Sequence, residues 1–418
     1  MTINEHIITD SDIGGNASNA IDFISLPRFR WYGYKEGFSS ILVEKAISEV
    51  GVGRNDYILD PFNGSGTVTL TAALNNIKAV GIEVNPFAAF MSEVKMGNDL
   101  TGEFPNKIEN VLTNACCHGI YSPLNIFSTF SEKTGKDKWL FNSDVLNAFE
   151  GSWQYVATFS EPIRKLMQLS LIGAAMDNCN AAKDGKCLKY RKGWRNRGFN
   201  SVTFVESLKN RLINCKDDLK STPIKNKAKI INADSREEIK KLPEQYKLCV
   251  TSPPYLNSFD YTDIYRPELF LGKFISSNQE LKELRFKTIR SHVEIVLPKP
   301  QHDSFGKIYN NIFSQICNSN DVWSKQIPIM IQSYFEDMEN VLVDLYEKAQ
   351  KGGELWIVVA NSVYVGVEIP VDLILAEIGT NRNWKLKRIE VLRYINRRKT
   401  KYNASIDKVR ESLIVFQK

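Results

Sequence analysis

Tyr57-Ile-Leu-Asp-Pro-Phe-Asn-Gly-Ser-Gly-Thr67 is the stretch whose reading decides the fold. Tyr57, Ile58 and Leu59 form a short apolar run that reads as a buried strand. Asp60-Pro61 ends it, because proline has no N–H to give to a ladder. Asn63-Gly64-Ser65-Gly66 reads as a turn whose glycines allow positive φ and close approach of the backbone to a ligand. Val68 to Leu74 follow as a helix of small and apolar residues. A second strand, Ala79-Val-Gly-Ile82, ends in Glu83, 19 positions after Gly64. That is close to the ~20-residue spacing at which an acidic residue meets ribose hydroxyls, so strand, loop, helix and acid read as the first half of a nucleotide-binding βαβ unit. A P-loop fails because no Gly-Lys-Ser/Thr closes the motif. A dinucleotide site stays open, although Thr69 stands where the third glycine of G-x-G-x-x-G belongs.

The 418 residues suffice for two or three lobes around a large core. The formal charge of +6 is mildly basic, so the distribution of charge must decide whether nucleic acid is a partner. The seven cysteines are odd in number and scattered, which suits a reducing compartment better than a disulfide framework. Cys116-Cys117-His118 lacks zinc-finger spacing, and no metal site is expected. No apolar run reaches the ~18–20 residues that a membrane helix needs, and the N-terminal residues carry no apolar signal core. The expectation is a cytoplasmic protein with no membrane partner.

Residues 1–20 are polar and read as a loose lead-in. Arg28, Arg30, Trp31, Tyr32, Tyr34, Lys35 and Phe38 form an aromatic and basic cluster. It runs into an amphipathic helix from Ser39 to Ile47, with serine as N-cap. A helical departure over 95–228 has apolar faces at Ile108 to Leu112 and Ile163 to Met176. Strands return at Ala228 to Asn232 and at Leu248 to Val250, the second leading into Ser252-Pro253-Pro254-Tyr255. A charged and aromatic departure over 256–330 follows. A helix at Phe335 to Ala349, a strand at Leu355 to Val359, a helix at Leu373 to Ile378 and strands at Leu386 to Leu392 and Ser412 to Phe416 close the chain. This alternation predicts an α/β fold with a mostly parallel sheet and helices on both faces.

Ser252 to Tyr255 sit at the carboxyl end of a predicted strand, where open α/β sheets bind ligands. Two prolines fix an extended backbone and remove two donors. Carbonyl oxygens, a hydroxyl and an aromatic ring remain. That set suits a planar group bearing an NH₂, with oxygens accepting its hydrogens and Tyr255 stacked on its face. A lone Pro-Pro-Tyr would read more simply as a rigid loop with its ring in a core.

Asp60-Pro-Phe-x-Gly-x-Gly-Thr67 together with Ser252-Pro-Pro-Tyr255 resembles the AdoMet-dependent DNA amino methyltransferases, which modify cytosine N4 or adenine N6. Matching segments are 28–95, 228–262 and 335–418. The resemblance implies a Rossmann-like class I methyltransferase fold of about seven strands, the last inserted antiparallel. It divides the chain into an AdoMet-binding part (21–94), a helical insertion as candidate target-recognition region (95–228), core strands with the catalytic tetrapeptide (229–255), a second insertion as candidate DNA contact (256–330) and the C-terminal part of the catalytic domain (331–418). It implies S-adenosyl-L-methionine as cofactor, held by Tyr34, Lys35, Phe38, Asp60, Pro61, Phe62, Gly64, Gly66, Thr67, Glu83, Asn85 and Asp234. Ser252, Pro253, Pro254 and Tyr255 are the implied catalytic residues. The target base would be flipped from duplex DNA at a cost of a few kcal/mol. Serine at the first position of the tetrapeptide resembles the N4-cytosine enzymes, with adenine N6 as the alternative. Carbon-5 methylation lacks its Pro-Cys nucleophile, and a zinc deaminase lacks Pro-Cys-x-x-Cys after His292-Val-Glu294. An RNA amino methyltransferase shares both motifs but usually carries an appended RNA-binding domain, not found here. A non-catalytic nucleic-acid-binding protein on the same scaffold fits the intact motifs less well.

Lys183 to Phe199 carries seven Lys/Arg against one Asp, interleaved with Tyr190, Trp194 and Phe199. It reads as a basic loop for phosphate contact, with Lys189, Arg191, Lys192, Arg195 and Arg197 as candidates and a solvated loop as the plain alternative. Arg397 and Arg398 form a second candidate patch. Double-stranded DNA is the expected partner, and a separately encoded restriction endonuclease is the candidate companion. Asn257, Asp260, Tyr261 and Asp263 are candidates to line the base pocket.

Overall fold

The computed structural model describes residues 8–97, 102–117, 119–184, 187–243, 245–318, 324–397 and 406–418. Its first half runs β1 (Ile8–Asp10), α1 (Ser40–Val50), β2 (Tyr57–Asp60), α2 (Thr67–Leu74), β3 (Lys78–Ile82) and α3 (Pro86–Lys95). The inserted segment adds α4 (Phe104–Cys117), α5 (Ser143–Val156), α6 (Glu161–Asp177), a hairpin of β4 (Ala181–Asp184) and β5 (Cys187–Tyr190), and α7 (Ser201–Ser221). Then come β6 (Lys229–Ile231), β7 (Tyr246–Thr251), α8 (Asn278–Phe286), α9 (Lys307–Cys317), α10 (Ile327–Lys348), β8 (Ala349–Ala360), β9 (Ser362–Tyr364), β10 (Val367–Ile369), α11 (Val371–Asn381), β11 (Lys385–Asn396) and β12 (Lys408–Gln417).

Eight strands form one sheet in the order β1-β11-β12-β8-β7-β2-β3-β6. Only β12 is antiparallel to its neighbours, wedged between β8 and β11. The resemblance predicted this inserted last strand. The eighth strand was not predicted: Ile8–Asp10 pairs in parallel with Ile389–Val391, so the expected lead-in supplies an edge of the sheet. Its three residues are too short to show an alternation pattern.

The sheet is covered on both faces, and the two-residue period of the strands assigns each side chain. Ile58, Leu248, Val250, Trp356, Val358, Leu413 and Val415 join the core under α1 and α2. Leu59, Cys249, Leu355, Ile357, Val359, Ile414 and Phe416 join the core under α10 and α11. Near-continuous apolar strands are what burial on both faces demands. Ser39 caps α1, its side chain accepting from the Ile41 N–H, as the sequence suggested. Strand β8 starts earlier than expected, at Ala349, and passes through Gly352 in a left-handed conformation, with an irregular register against β7.

Helices α4 to α7 of the insertion bury Phe104, Val111, Phe149, Leu166, Met167, Ile172, Phe204 and Leu208 together, in a core that continues into Phe87, Met91 and Val94 of α3 and into Tyr265 and Leu269 of the second insertion. One buried carboxylate adds a polar tie to the sheet domain. Asp218 on α7 is 1% exposed and accepts hydrogen bonds from the Arg28 N–H (2.9 Å), the Trp31 indole (2.9 Å) and the Arg30 guanidinium (2.6 Å). Arg28 and Trp31 are themselves buried, so part of the basic cluster that looked cationic in sequence is internal wiring. No helix among the described residues is long and apolar enough to cross a membrane. Replacing Asp218 with alanine strands buried donors and should cost about 2–4 kcal/mol of stability. Urea unfolding measures this; an unchanged midpoint would mean the junction contributes nothing.

Candidate active site

Strand order reverses between β2 and β7, since β3 and β6 continue to one side and β8 to the other. A crevice opens at the carboxyl ends of strands at such a switch point. Asp60 ends β2 and Thr251 ends β7. The Thr251 hydroxyl donates to Asp60 Oδ1 at 2.7 Å, and the Phe62 N–H donates to the same oxygen at 3.0 Å. Burial pushes the Asp60 carboxyl up to about 7, against the lowering effect of these two bonds.

The glycine loop hangs from this corner. The Asn63 N–H donates to Ile82 O at 3.0 Å, and the Gly66 N–H closes the turn on Asn63 O at 2.7 Å. Gly66 has φ +84°, and a Cβ there would stand 2.7 Å from Ser92 Cβ, so α3 can pack against the loop only beside a glycine. Glu83 bridges loop and strand: its carboxylate accepts from the Gly64 N–H at 2.7 Å and the Asn85 N–H at 2.8 Å. Burial raises its pKa, and these bonds oppose the rise. Asn85 caps α3, accepting from the Phe87 and Ala88 N–H groups, with Pro86 in the first turn.

One cavity of about 390 Å³ collects the two motifs. Tyr34, Lys35 and Phe38 form one side; Asp60, Pro61, Phe62, Gly64 and Thr67 line the loop side; Glu83, Asn85 and Asp234 continue from it; Ser252, Pro253, Pro254 and Tyr255 complete the wall. Gly66, also assigned to the cofactor, sits behind this wall as the N-cap of α2. Asp234 reaches the cavity with its carboxylate already held by Arg236 at 2.6 Å. Tyr34 stacks on Tyr265 with ring centroids 5.0 Å apart, and burial holds both phenols well above the ordinary range.

The fully buried Lys95 points its ammonium at the Ser65 and Tyr32 carbonyls (3.3 and 3.4 Å), and burial brings its pKa down to about 7. Several cavity residues were not singled out from sequence. Lys183 enters from β4, with its ammonium 3.5 Å from the centroid of Tyr265 and paired to buried Glu268. The second insertion contributes Thr288, Ser291 and His292, and strands β11 and β12 contribute Arg393 and Glu411. Lys183 opens the basic stretch, Arg393 the second basic cluster and His292 the His-Val-Glu half-motif, but none was read as a cavity residue; Thr288, Ser291 and Glu411 belong to no motif, and their only signal was polar residues beside apolar runs. Asn257 and Tyr261 line the cavity as suspected. Asp260 instead caps a short helix through the Thr262 N–H and pairs with Arg285 at 2.6 Å.

The proposed basic loop is not a loop. Ala181–Asp184 pairs antiparallel with Cys187–Tyr190, followed by a helical turn at Trp194–Asn196. Alternation within four-residue strands was hidden by the density of charge. Lys189 pairs with Asp184 at 3.0 Å, Arg191 donates to Cys179 O at 2.9 Å, and Arg195 donates to Asp137 O at 2.7 Å while lying over Trp194. Lys192 and Arg197 are exposed. Arg397 is half-buried with its Nε enclosed and unpartnered, and burial lowers its pKa. None of these lines the cavity. Arg398, His118 and residues 1–7 lie outside the described residues.

A family model described as DNA methylase, of the N6/N4 class, matches residues 30–93, the segment holding the aromatic cluster, the glycine loop and Glu83. The Type II methyltransferase M.BsoBI of Geobacillus stearothermophilus is 26% identical over 414 residues, covering 87% of this chain and 80% of that one. The Type II methyltransferase M.AvaI of a Nostoc species is 26% identical over 424 residues, covering 88% and 81%. These matches bear out the resemblance to the AdoMet-dependent DNA amino methyltransferases read from the two motifs. S-adenosyl-L-methionine is the cofactor this type implies. The residues present fit it: a glycine loop with a close aromatic wall, a buried carboxylate at the second strand end, and a volume inside the ~300–1,000 Å³ range of small-molecule sites.

Two outcomes follow. Gly66→Ala should weaken AdoMet binding at least about tenfold and lower stability by about 1–3 kcal/mol, since a positive φ and a 2.7 Å contact must both be relieved. Calorimetric titration and thermal melting read these; unaltered affinity would show the loop tolerates the methyl. The raised pKa of Asp60 means its favourable contribution is full below its ordinary value of 3.8 and lost as pH rises through about 7. Wild type should therefore lose stability relative to Asp60→Asn between pH 4 and pH 8, whereas parallel melting curves would contradict this.

Proposed function

We propose that this protein is a sequence-specific DNA methyltransferase. It transfers a methyl group from AdoMet to the exocyclic N4 of cytosine in duplex DNA, after the base is flipped out of the helix. The observation that carries this reading is a single cavity shared by the Asp60–Thr67 loop and the Ser252–Tyr255 tetrapeptide.

AdoMet supplies a methyl group carried on a sulfonium and so already activated. The protein's task lies on the other substrate. An exocyclic amine is a poor nucleophile because its lone pair is delocalised into the ring. The Ser252 hydroxyl and the Pro253 carbonyl accept its two hydrogens and draw the nitrogen towards a tetrahedral shape. Tyr255 stacks on the base and offsets part of the cost of flipping. Orientation and preorganised acceptors then account for most of the acceleration. Glu83 would take the ribose hydroxyls, and Asp234 would stand near the adenine. Tyr34, Lys35 and Phe38 would close over the methionine end, with Thr67 and Asn85 beside the loop.

Serine at the head of the tetrapeptide favours cytosine N4; adenine N6 is the runner-up. The second insertion, which contributes Thr288, Ser291 and His292 to the cavity, would hold the flipped base. The helical insertion would read the sequence around it, with exposed Lys192 and Arg197 available to phosphates. The Type II names of both relatives support a place in a restriction–modification system, where the companion would be a separately encoded endonuclease and the compartment the cytoplasm.

The test is transfer of labelled methyl from AdoMet to duplex DNA or RNA, followed by digestion and mass spectrometry of the nucleosides. N4-methylcytosine is expected. N6-methyladenine would move the reading to the runner-up, and 5-methylcytosine or label confined to RNA would overturn it. Ser252→Ala should lower the transfer rate by about 10²–10³-fold, the usual cost of one preorganised group at the reacting atom, with AdoMet affinity held.

A further inference from the structure

Behind the tetrapeptide runs a chain of hydroxyls that ends in a carboxylate. The Tyr255 hydroxyl donates to Glu411 Oε1 at 2.9 Å. The Ser252 hydroxyl donates to the Tyr255 oxygen across a longer 3.3 Å. Glu411 is 2% exposed, in the middle of the sheet on β12, and its other oxygen accepts from Arg393 Nε on β11 at 2.6 Å. Arg393 is anchored in turn on Asn19 of the N-terminal segment. Glu411 and Arg393 both line the cavity.

Direction in this chain is set from one end. A hydroxyl can donate or accept, so Ser252 and Tyr255 carry no polarity of their own. An ionised carboxylate only accepts. With Arg393 on one oxygen, the other must receive the Tyr255 proton, and the Tyr255 oxygen is then left as an acceptor. The Ser252 proton is drawn to that oxygen, and the Ser252 lone pairs are turned into the cavity. Burial and the nearby Glu411 charge hold the Tyr255 phenol well above its ordinary range, which keeps it protonated as the donor in the middle.

We infer that Glu411 is a positioning residue that acts through Tyr255 to make Ser252 a hydrogen-bond acceptor, so that the site selects an amino group over a keto group on the target base. The inference rests on the amino-methyltransferase reading and deepens it. Glu411 acts through Tyr255 and orders Ser252, the group that meets the amine.

Glu411→Gln keeps size and shape but reverses the chain. The amide oxygen is needed by Arg393, so the amide NH₂ faces Tyr255 and donates to it. Tyr255 then donates to Ser252, and Ser252 donates into the cavity. Four proteins, wild type, Glu411→Gln, Tyr255→Phe and the double variant, are compared on duplex carrying the methylated site once it is mapped. Glu411→Gln should slow single-turnover transfer about 30-fold, with AdoMet affinity within about twofold of wild type. In the Tyr255→Phe background, where the chain is already cut, the same substitution should cost less than about twofold more. Glu411→Asp, which restores an acceptor-only group, should recover part of the rate.

A binding readout without cofactor separates this from a merely structural role. Wild type should prefer cytosine to uracil at the target position, or adenine to hypoxanthine if adenine is the target, and Glu411→Gln should lose or invert that preference. Equal costs of Glu411→Gln in both backgrounds, or an unchanged base preference, would overturn the inference, while an N4- or N6-methylated product would leave the amino-methyltransferase reading on which it rests standing. A product methylated at carbon, or only on RNA, would instead remove the reading on which the inference rests.

Discussion

One hydrogen bond joins the two halves of this site. Thr251 at the end of β7 donates to Asp60 at the end of β2, across the point where strand order reverses. The loop that follows Asp60 and the tetrapeptide that follows Thr251 are separated by almost two hundred positions in the chain. Parallel pairing of Ile58 with Leu248 and Leu59 with Cys249 brings their strands side by side. The bond then links the two strand ends from which the loops depart. Its carboxyl is buried and carries a raised pKa, the mark of a group held against its solvation preference.

Around that corner, polar residues hold main chain more often than they face the cavity unspent. Glu83 is engaged by two backbone amides, Asn85 by the start of α3, and Asp234 by Arg236. Asp218 performs the same service at a distance, tying the first turns of the Arg28–Trp31 segment to the helical insertion. Buried charges of this kind are satisfied by several donors each, because an unpaired one would cost several kcal/mol. A cofactor entering here would meet acceptors already fixed in place, which lowers the ordering cost of binding.

The sheet was legible because each of its central strands is an apolar run bounded by punctuation, and because the two motifs mark two adjacent strand ends. Asp60 to Thr67, Glu83 and Ser252 to Tyr255 could therefore be brought to one cavity from sequence alone. What stayed hidden has physical reasons. The edge strand Ile8–Asp10 is too short to carry a period. The hairpin at Ala181–Tyr190 is masked by its lysines, which read as a solvated loop although Lys183 turns inward to Glu268 and Tyr265. Glu411 and Arg393 reach the site through pairing of β12 with β8 and β11, and such long-range neighbours leave no spacing to read. Conversely, Arg191, Arg195 and Arg397 looked like phosphate ligands, but local carbonyls and burial account for them.

In the function proposed above, one cavity holds both substrates, with the cofactor on the loop side and the flipped base on the tetrapeptide side. The most direct measurement is a crystal structure of the protein with the demethylated cofactor product and a duplex containing its target site. The expected complex has ribose hydroxyls on Glu83, an extrahelical base stacked on Tyr255, and its amino nitrogen within hydrogen-bond reach of Ser252. A base left in the helix, or one bound away from Ser252 and Tyr255, would contradict it.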